Sequence, residues 1–303
     1  MTIAEPRARA APPGAGLVLG LSIVGISLAA PLIRYSGAHP LAIATWRLLF
    51  SLAIIAVPLL ARGSWRQWSR LDRRGVALAI AAGVMLATHF WSWNTSIGLT
   101  TVAASVVLVN LQPVIVAALS AAWLHEHPSR RQWIGIAVAM LGAVVIGWEL
   151  LRGGLGALDS RAALGDALAV LGGASAALYY LAGRRLRQTL DLWPYVALVY
   201  GACLITLVVV TTVGRVPVWH QPPRELAIFA ALAIGPMMLG HTGMNWALKY
   251  LPAYVVNLTT LGEPVGATLL AAILPGIREV PSVFTLAGGA LVLVGILLAL
   301  RRP

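Results

Sequence analysis

Residues 101–124 read TVAASVVLVNLQPVIVAALSAAWL, a run without a single charged side chain. A helix needs about 20 apolar residues to cross ~30 Å of hydrocarbon, so this run is long enough. Ala, Val and Leu follow one another with no period-2 alternation, which excludes a barrel strand and leaves a helix. Its centre is unusual for a plain span, because Asn110, Gln112 and Pro113 stand there together. A second run has the same construction. Residues 252–274 read PAYVVNLTTLGEPVGATLLAAIL, and Leu111-Gln112-Pro113-Val114 matches Gly262-Glu263-Pro264-Val265 at an offset of 151.

The match extends in both directions. Upstream, Gly83 through His89 aligns with Gly235 through His241 at an offset of 152, and Asn94 aligns with Asn245 at 151. Downstream, after a two-residue insertion, Glu126, Gly135 and Gly142 align with Glu279, Gly288 and Gly295 at 153. The chain is therefore read as two repeats, 1–149 with a short N-terminal tail and 150–303. Further runs of spanning length bring the total to ten: 14–33, 40–61, 75–95, 101–124, 132–149, 164–183, 192–213, 226–248, 252–274 and 282–300. Each repeat then holds five spans. Five is an odd number, so the second copy must enter the membrane inverted. Inverted repeats point to alternating access around a site near the bilayer midplane.

Composition agrees with this reading. Of 303 residues 59% are hydrophobic and 11% charged, with a mean hydropathy of +0.84. No soluble domain has enough polar residue left to cover such a core, and a disordered chain is excluded for the same reason. The expected fold class is an all-α integral membrane protein. Cys203 is the single cysteine, which excludes a disulfide framework or a thiolate metal cluster. The net charge of +12 is explained by topology and not by nucleic acid. If loops alternate in side, fifteen basic residues fall on one side, including Arg62, Arg66, Arg70, Arg73 and Arg74, and six on the other. Positive loops stay in the cytoplasm, so both termini are expected there, and the expected location is a bacterial cytoplasmic membrane.

The order and spacing of these pieces resemble the drug/metabolite transporter superfamily, and within it the EamA-type exporters. The pieces that carry the resemblance are Gln112-Pro113-Val114 through Leu124-His125-Glu126, Gly165-Asp166, Glu263-Pro264-Val265 and Glu279, with Arg47 also fitting the pattern. The resemblance covers residues from about 14 to 300. It implies a ten-helix exporter of amino acids, drugs or other small metabolites. In architecture the chain resembles the aromatic amino acid exporters of that superfamily. Asn110 and Gln112 stand where those carry aromatic side chains, which speaks against an aromatic substrate.

Charge inside hydrocarbon is expensive and is normally kept for function. Two charged residues lie deep in a run. Arg47 is roughly 10 Å into the second, and Glu263 roughly 17 Å into the ninth from the opposite side. Their depths overlap, so they are expected either to pair or to hold the carboxylate and ammonium of a zwitterion. The repeat-matched His89 and His241 are expected on a cavity wall, with Trp93 and Asn245 four residues on along the same helix faces. Asn110, Gln112, Asn257 and Thr260 are the expected hydrogen-bonding contacts, and Pro113 and Pro264 the expected hinges. Tyr179 and Tyr180 read as interfacial aromatics, as do Trp91 and Trp93 in the alternative reading. His125-Glu126-His127 reads as a solvated turn. No metal or cofactor is expected, because no ligand spacing occurs. An enzyme is not expected either, since His-Glu-x-x-His, paired intramembrane carboxylates and serine nucleophile motifs are all missing from the sequence. The expected partners are a small-molecule substrate and the lipid bilayer, and the sequence does not fix an oligomeric state.

Overall fold

The computed structural model describes residues 11–100, 102–154, 160–273 and 283–300, and every regular element among them is helical. In chain order the elements are α1 (Ala15–Tyr35), α2 (Pro40–Ala61), α3 (Arg73–Leu99), α4 (102–124), α5 (Arg130–Gly154), α6 (Ser160–Thr189), α7 (Leu192–Val213), α8 (Pro223–Ala247), α9 (253–273) and α10 (Val283–Leu300). Among the described residues α1, α2, α3, α6, α7 and α8 are each long and apolar enough to cross a membrane. Glu279, which the repeat matches to Glu126, lies outside the described residues, as do Arg7, Arg9, Arg278, Arg301 and Arg302 of the charge count.

Local chemistry sets where these helices start and stop. Pro40 opens α2 behind His39, whose Nδ1 accepts the Leu41 N–H at 3.2 Å. Asp72 caps α3 by accepting the Gly75 N–H at 2.8 Å. Between α2 and α3, Gly63 turns the chain with φ 57 into a short 3-10 segment, Ser64–Arg70.

Interruptions inside the helices follow the prolines. Pro113 has no N–H, so the Val109 carbonyl loses its helical partner and α4 splits into Val102–Val109 and Gln112–Leu119. A π-helical turn, Ser120–Leu124, ends it. Pro264 acts in the same way on α9, where Ala253–Leu258 and Gly262–Ile273 are joined by a tight turn at Thr259–Leu261. A further break was not expected from the sequence. Around Pro236, α8 widens into a π-helix over Ala233–Thr242.

The two sequence halves do not form two separate bodies. α1 packs against α8 and α9, and α6 packs in the matching way against α3 and α4. α2 lies on α7, and α5 pairs with α10. The repeat glycines set how close that last pair comes. A Cβ on Gly135 would sit 2.7 Å from the Gly295 carbonyl oxygen, and one on Gly142 would sit 2.6 Å from that of Gly288. Such backbone contact is available only to glycine, and it supplies the dispersion attraction that holds helices together in lipid. Gly262 and Gly266 serve the same end against α1, meeting Ile23 and Ser27.

Candidate substrate site

A cavity lies where α1, α2, α3, α4, α6, α8 and α9 converge. Seven of the ten residues expected from the sequence line it: Arg47, His89, Trp93, Gln112, His241, Thr260 and Glu263. Ile26, Ala29, Val109, Ala176, Tyr180 and Pro236 complete the wall. Its volume is about 30 Å³, room for one or two water molecules. A metabolite enters only if the helices part.

Arg47 projects from α2 and is wholly buried. Its guanidinium lies over the Phe90 ring, 4.1 Å from the centroid, while Nε, Nη1 and Nη2 have no hydrogen-bond partner. Glu263, 7% exposed, enters from the first turn of α9's second segment. The two charges share the cavity, yet no ion pair within 4 Å joins them. Of the two expected arrangements, direct pairing is therefore not the one adopted. The Glu263 backbone lies against α1, its carbonyl 3.4 Å from Ser27 Oγ, whose proton goes to the Ile23 carbonyl at 2.7 Å.

Aromatic rings continue from Phe90 along the same side of the cavity as Arg47. His89 stacks on Trp93 with centroids 5.9 Å apart and planes 12° apart, and meets His241 edge-on at 6.2 Å. His241 in turn meets Phe90 at 5.4 Å. His89 Nδ1 faces the Gly172 carbonyl at 3.0 Å, whereas His241 Nδ1 and Trp93 Nε1 are buried without partners.

The polar residues of the two broken helices meet one another. Asn257 Nδ2 donates to Gln112 Oε1 at 3.3 Å and Gln112 Nε2 to Thr260 Oγ1 at 3.4 Å, while the Thr260 hydroxyl donates to the Asn257 carbonyl at 2.7 Å and lies 3.4 Å from Asn110 Oδ1. The two amide bonds are long for their type. Asn110 and Asn257 therefore stand behind the wall and hold Gln112 and Thr260.

Asn245 is placed differently from expectation. It sits among tyrosines, donating to the Tyr179 and Tyr200 hydroxyls and accepting from Tyr195, away from the cavity wall. Tyr179 and Tyr180 are buried instead of interfacial, and Tyr180 lines the cavity. The cause is the length of α6. It continues to Thr189, so both tyrosines lie well inside it. Trp91 is 38% exposed and points away from the site. In the expected solvated turn at His125-Glu126-His127 both histidines are exposed, whereas Glu126 is mostly covered and pairs with Arg184 at 2.7 Å. The signal for it was Arg184 itself, the first residue of a basic cluster that the sequence reading assigned to a loop.

Comparison with known proteins gives these side chains a context. The sequence model of the EamA-like transporter family matches residues 13–148 and again 163–301. An uncharacterized transporter of Archaeoglobus fulgidus is 26% identical over 299 residues, covering 94% of this chain and 98% of its own. The uncharacterized transporter YdfC of Bacillus subtilis is 24% identical over 252 residues, covering 82% and 79%. One solved crystal structure shares the fold with a TM-score of 0.78 and 20% identity, over 96% of this chain and 97% of that one. With both halves matched, the chain belongs to the EamA-like transporter family of the drug/metabolite transporter superfamily and is a multi-pass membrane transporter.

Proposed function

We propose that the protein exports small metabolites, amino acids or related zwitterions above all, from the cytoplasm across a bacterial inner membrane by alternating access. One observation carries this reading. Arg47 and Glu263, a basic and an acidic side chain, are buried on the same cavity with no ion pair within 4 Å between them. Two lone charges held out of water are costly, and pairing would offset much of that cost. Leaving a gap between them suits a ligand with a carboxylate at one end and an ammonium at the other.

The proposed topology has ten crossings in two inverted repeats, 1–149 and 150–303, with both termini cytoplasmic. The helix packing favours α1, α8 and α9 moving against α3, α4 and α6 over a rocking of the first five helices on the last five. Pro113 and Pro264 would serve as hinges, and the long amide bonds between α4 and α9 would yield as the cavity widens. Cysteines placed at the exposed positions Ser69 and Ser129 should react with impermeant reagents from the cytoplasmic side only, and one at exposed Ser160 from outside only. Ser129 and Ser160 reacting from the same side would remove the odd-numbered repeat.

A second reading is kept because of the stacked His89 and Trp93 rings. They could hold a planar base, which would make a nucleoside or a flat drug the cargo. Purified protein in liposomes separates the readings, using labelled amino acids and nucleosides with and without a pH gradient. Amino acid flux above protein-free vesicles is expected, and flux confined to nucleosides would overturn the zwitterion reading.

A further inference from the structure

Most polar groups near the cavity are satisfied by one another, and those that are not share one character. Arg47 Nε, Nη1 and Nη2, Trp93 Nε1 and His241 Nδ1 are all nitrogens without partners among the described residues, on three side chains that line the cavity. The other buried atoms without partners, on Asn94, Ser120, Asp166 and Asn257, belong to residues that do not line it. An N–H left unpaired out of water is expensive, and each such group in a native protein calls for an explanation.

The geometry narrows the ligand. The Arg47 guanidinium carbon lies 4.1 Å from the centre of the Phe90 ring. The donors of a guanidinium lie in its plane, as a fork that matches two carboxylate oxygens at once. All three Arg47 nitrogens lack a partner among the described residues, so the fork is free. Trp93 contributes a donor and can be nothing else, and His241 becomes one in the tautomer with its proton on Nδ1. A carboxylate offers about four lone-pair sites. Two satisfy the arginine fork and two remain, one for Trp93 and one for His241. The rings of Trp93, His89, His241 and Phe90 neighbour one another in that order and Arg47 lies over Phe90, so the three side chains belong to one cluster on the cavity.

We propose that Arg47, Trp93 and His241 form a carboxylate clamp, and that the carboxylate is the group a ligand cannot lack. The proposal rests on the exporter reading above and says which pole of the substrate is selected. A site built around unpaired donors rejects analogues that cannot fill them far more strongly than it rejects a change in apolar bulk.

The test uses protein in nanodiscs and ligand-induced thermal stabilisation as the readout. The probes are alanine, leucine and phenylalanine, each beside its primary amide and its decarboxylated amine. All three forms keep the amino group, and only the acid keeps the carboxylate. Where an acid binds, its amide and amine should bind about 100-fold more weakly. Arg47→Lys keeps the charge but loses the fork, and should erase most of that preference. Trp93→Phe keeps an aromatic ring beside His89 while removing the N–H together with part of the indole, and should weaken the acids about 5- to 10-fold more than their amides and amines, so the proposal does not depend on a buried arginine variant folding. An amide or amine that binds within threefold of its acid would overturn the clamp while leaving the exporter reading intact if liposome flux persists. Absence of binding by every acid, together with absence of flux, would overturn both.

Discussion

Arg184→Met should lower the stability of the folded protein by about 3–5 kcal/mol, the loss typical of removing one partner from a buried ion pair. Arg184 is 1% exposed and Glu126 10%. Arg184 Nε donates to Glu126 Oε1 at 2.7 Å and Nη1 to the Leu248 carbonyl at 2.6 Å, while Glu126 Oε2 accepts the Ala253 N–H at 3.1 Å. Four chain segments meet there: the end of α4, α6, the end of α8 and the start of α9. Without the arginine, the carboxylate is left with the Ala253 N–H as its remaining hydrogen bond, out of water. The double variant Glu126→Gln with Arg184→Met removes both charges and should recover much of the loss. The measurement is a double-mutant cycle by unfolding in mixed micelles, and a coupling below about 0.5 kcal/mol would show that the pair is not what holds these ends together. The nearby pair of Lys249 and Asp191 provides a contrast. Lys249 donates to Asp191 at 2.7 Å and, with Gln67, holds that carboxyl below its ordinary range. Asp191 is 55% exposed, so solvent screens the pair and Lys249→Met should cost less than about 1 kcal/mol.

That ion pair also marks a limit of reading the sequence alone. A span is naturally ended at the first cluster of basic residues, because charge in lipid is costly. Arg184 and Arg187 meet that cost inside the protein, through Glu126 and the carbonyls of Leu248, Asn245 and Leu190. The helix therefore runs past them, and the tyrosines read as interfacial come to lie inside. What depends on spacing along the chain was legible. Prolines at matched positions break α4 and α9 just before them, and matched glycines meet across α5 and α10, Gly135 on Gly295 and Gly142 on Gly288. Such crossed pairing is what a twofold-related repeat produces. What depends on contact between distant segments was not legible. Nothing along the chain says that α1 belongs with α8 and α9, or that Asn245 faces three tyrosines while its histidine neighbour faces the cavity.

Glu263→Gln should leave the protein folded and abolish most transport of zwitterionic substrates. The first repeat already carries Gln112 at the equivalent place, one residue before Pro113, and that amide is accommodated within 5% exposure. The backbone around Glu263 packs closely on Ile23 and Ser27 of α1 through Gly262 and Gly266, which an amide side chain does not disturb. Loss of function in this variant is then loss of charge and not loss of structure. An ammonium facing a carboxylate in a water-poor cavity gains a charge-assisted hydrogen bond worth about 1.5–3 kcal/mol, which corresponds to roughly 10- to 150-fold in binding. Transport by Glu263→Gln at subsaturating amino acid should fall by at least about 10-fold, with unfolding in mixed micelles shifted by less than about 1 kcal/mol. If the carboxylate also exchanges protons during the cycle, the same variant loses the pH dependence of the parent. The clamp at the other pole is untouched, so thermal stabilisation by an amino acid should still exceed that by its amide. Parental flux with an unchanged pH profile would assign Glu263 to packing against α1 and leave Arg47 as the single charge that recognises substrate.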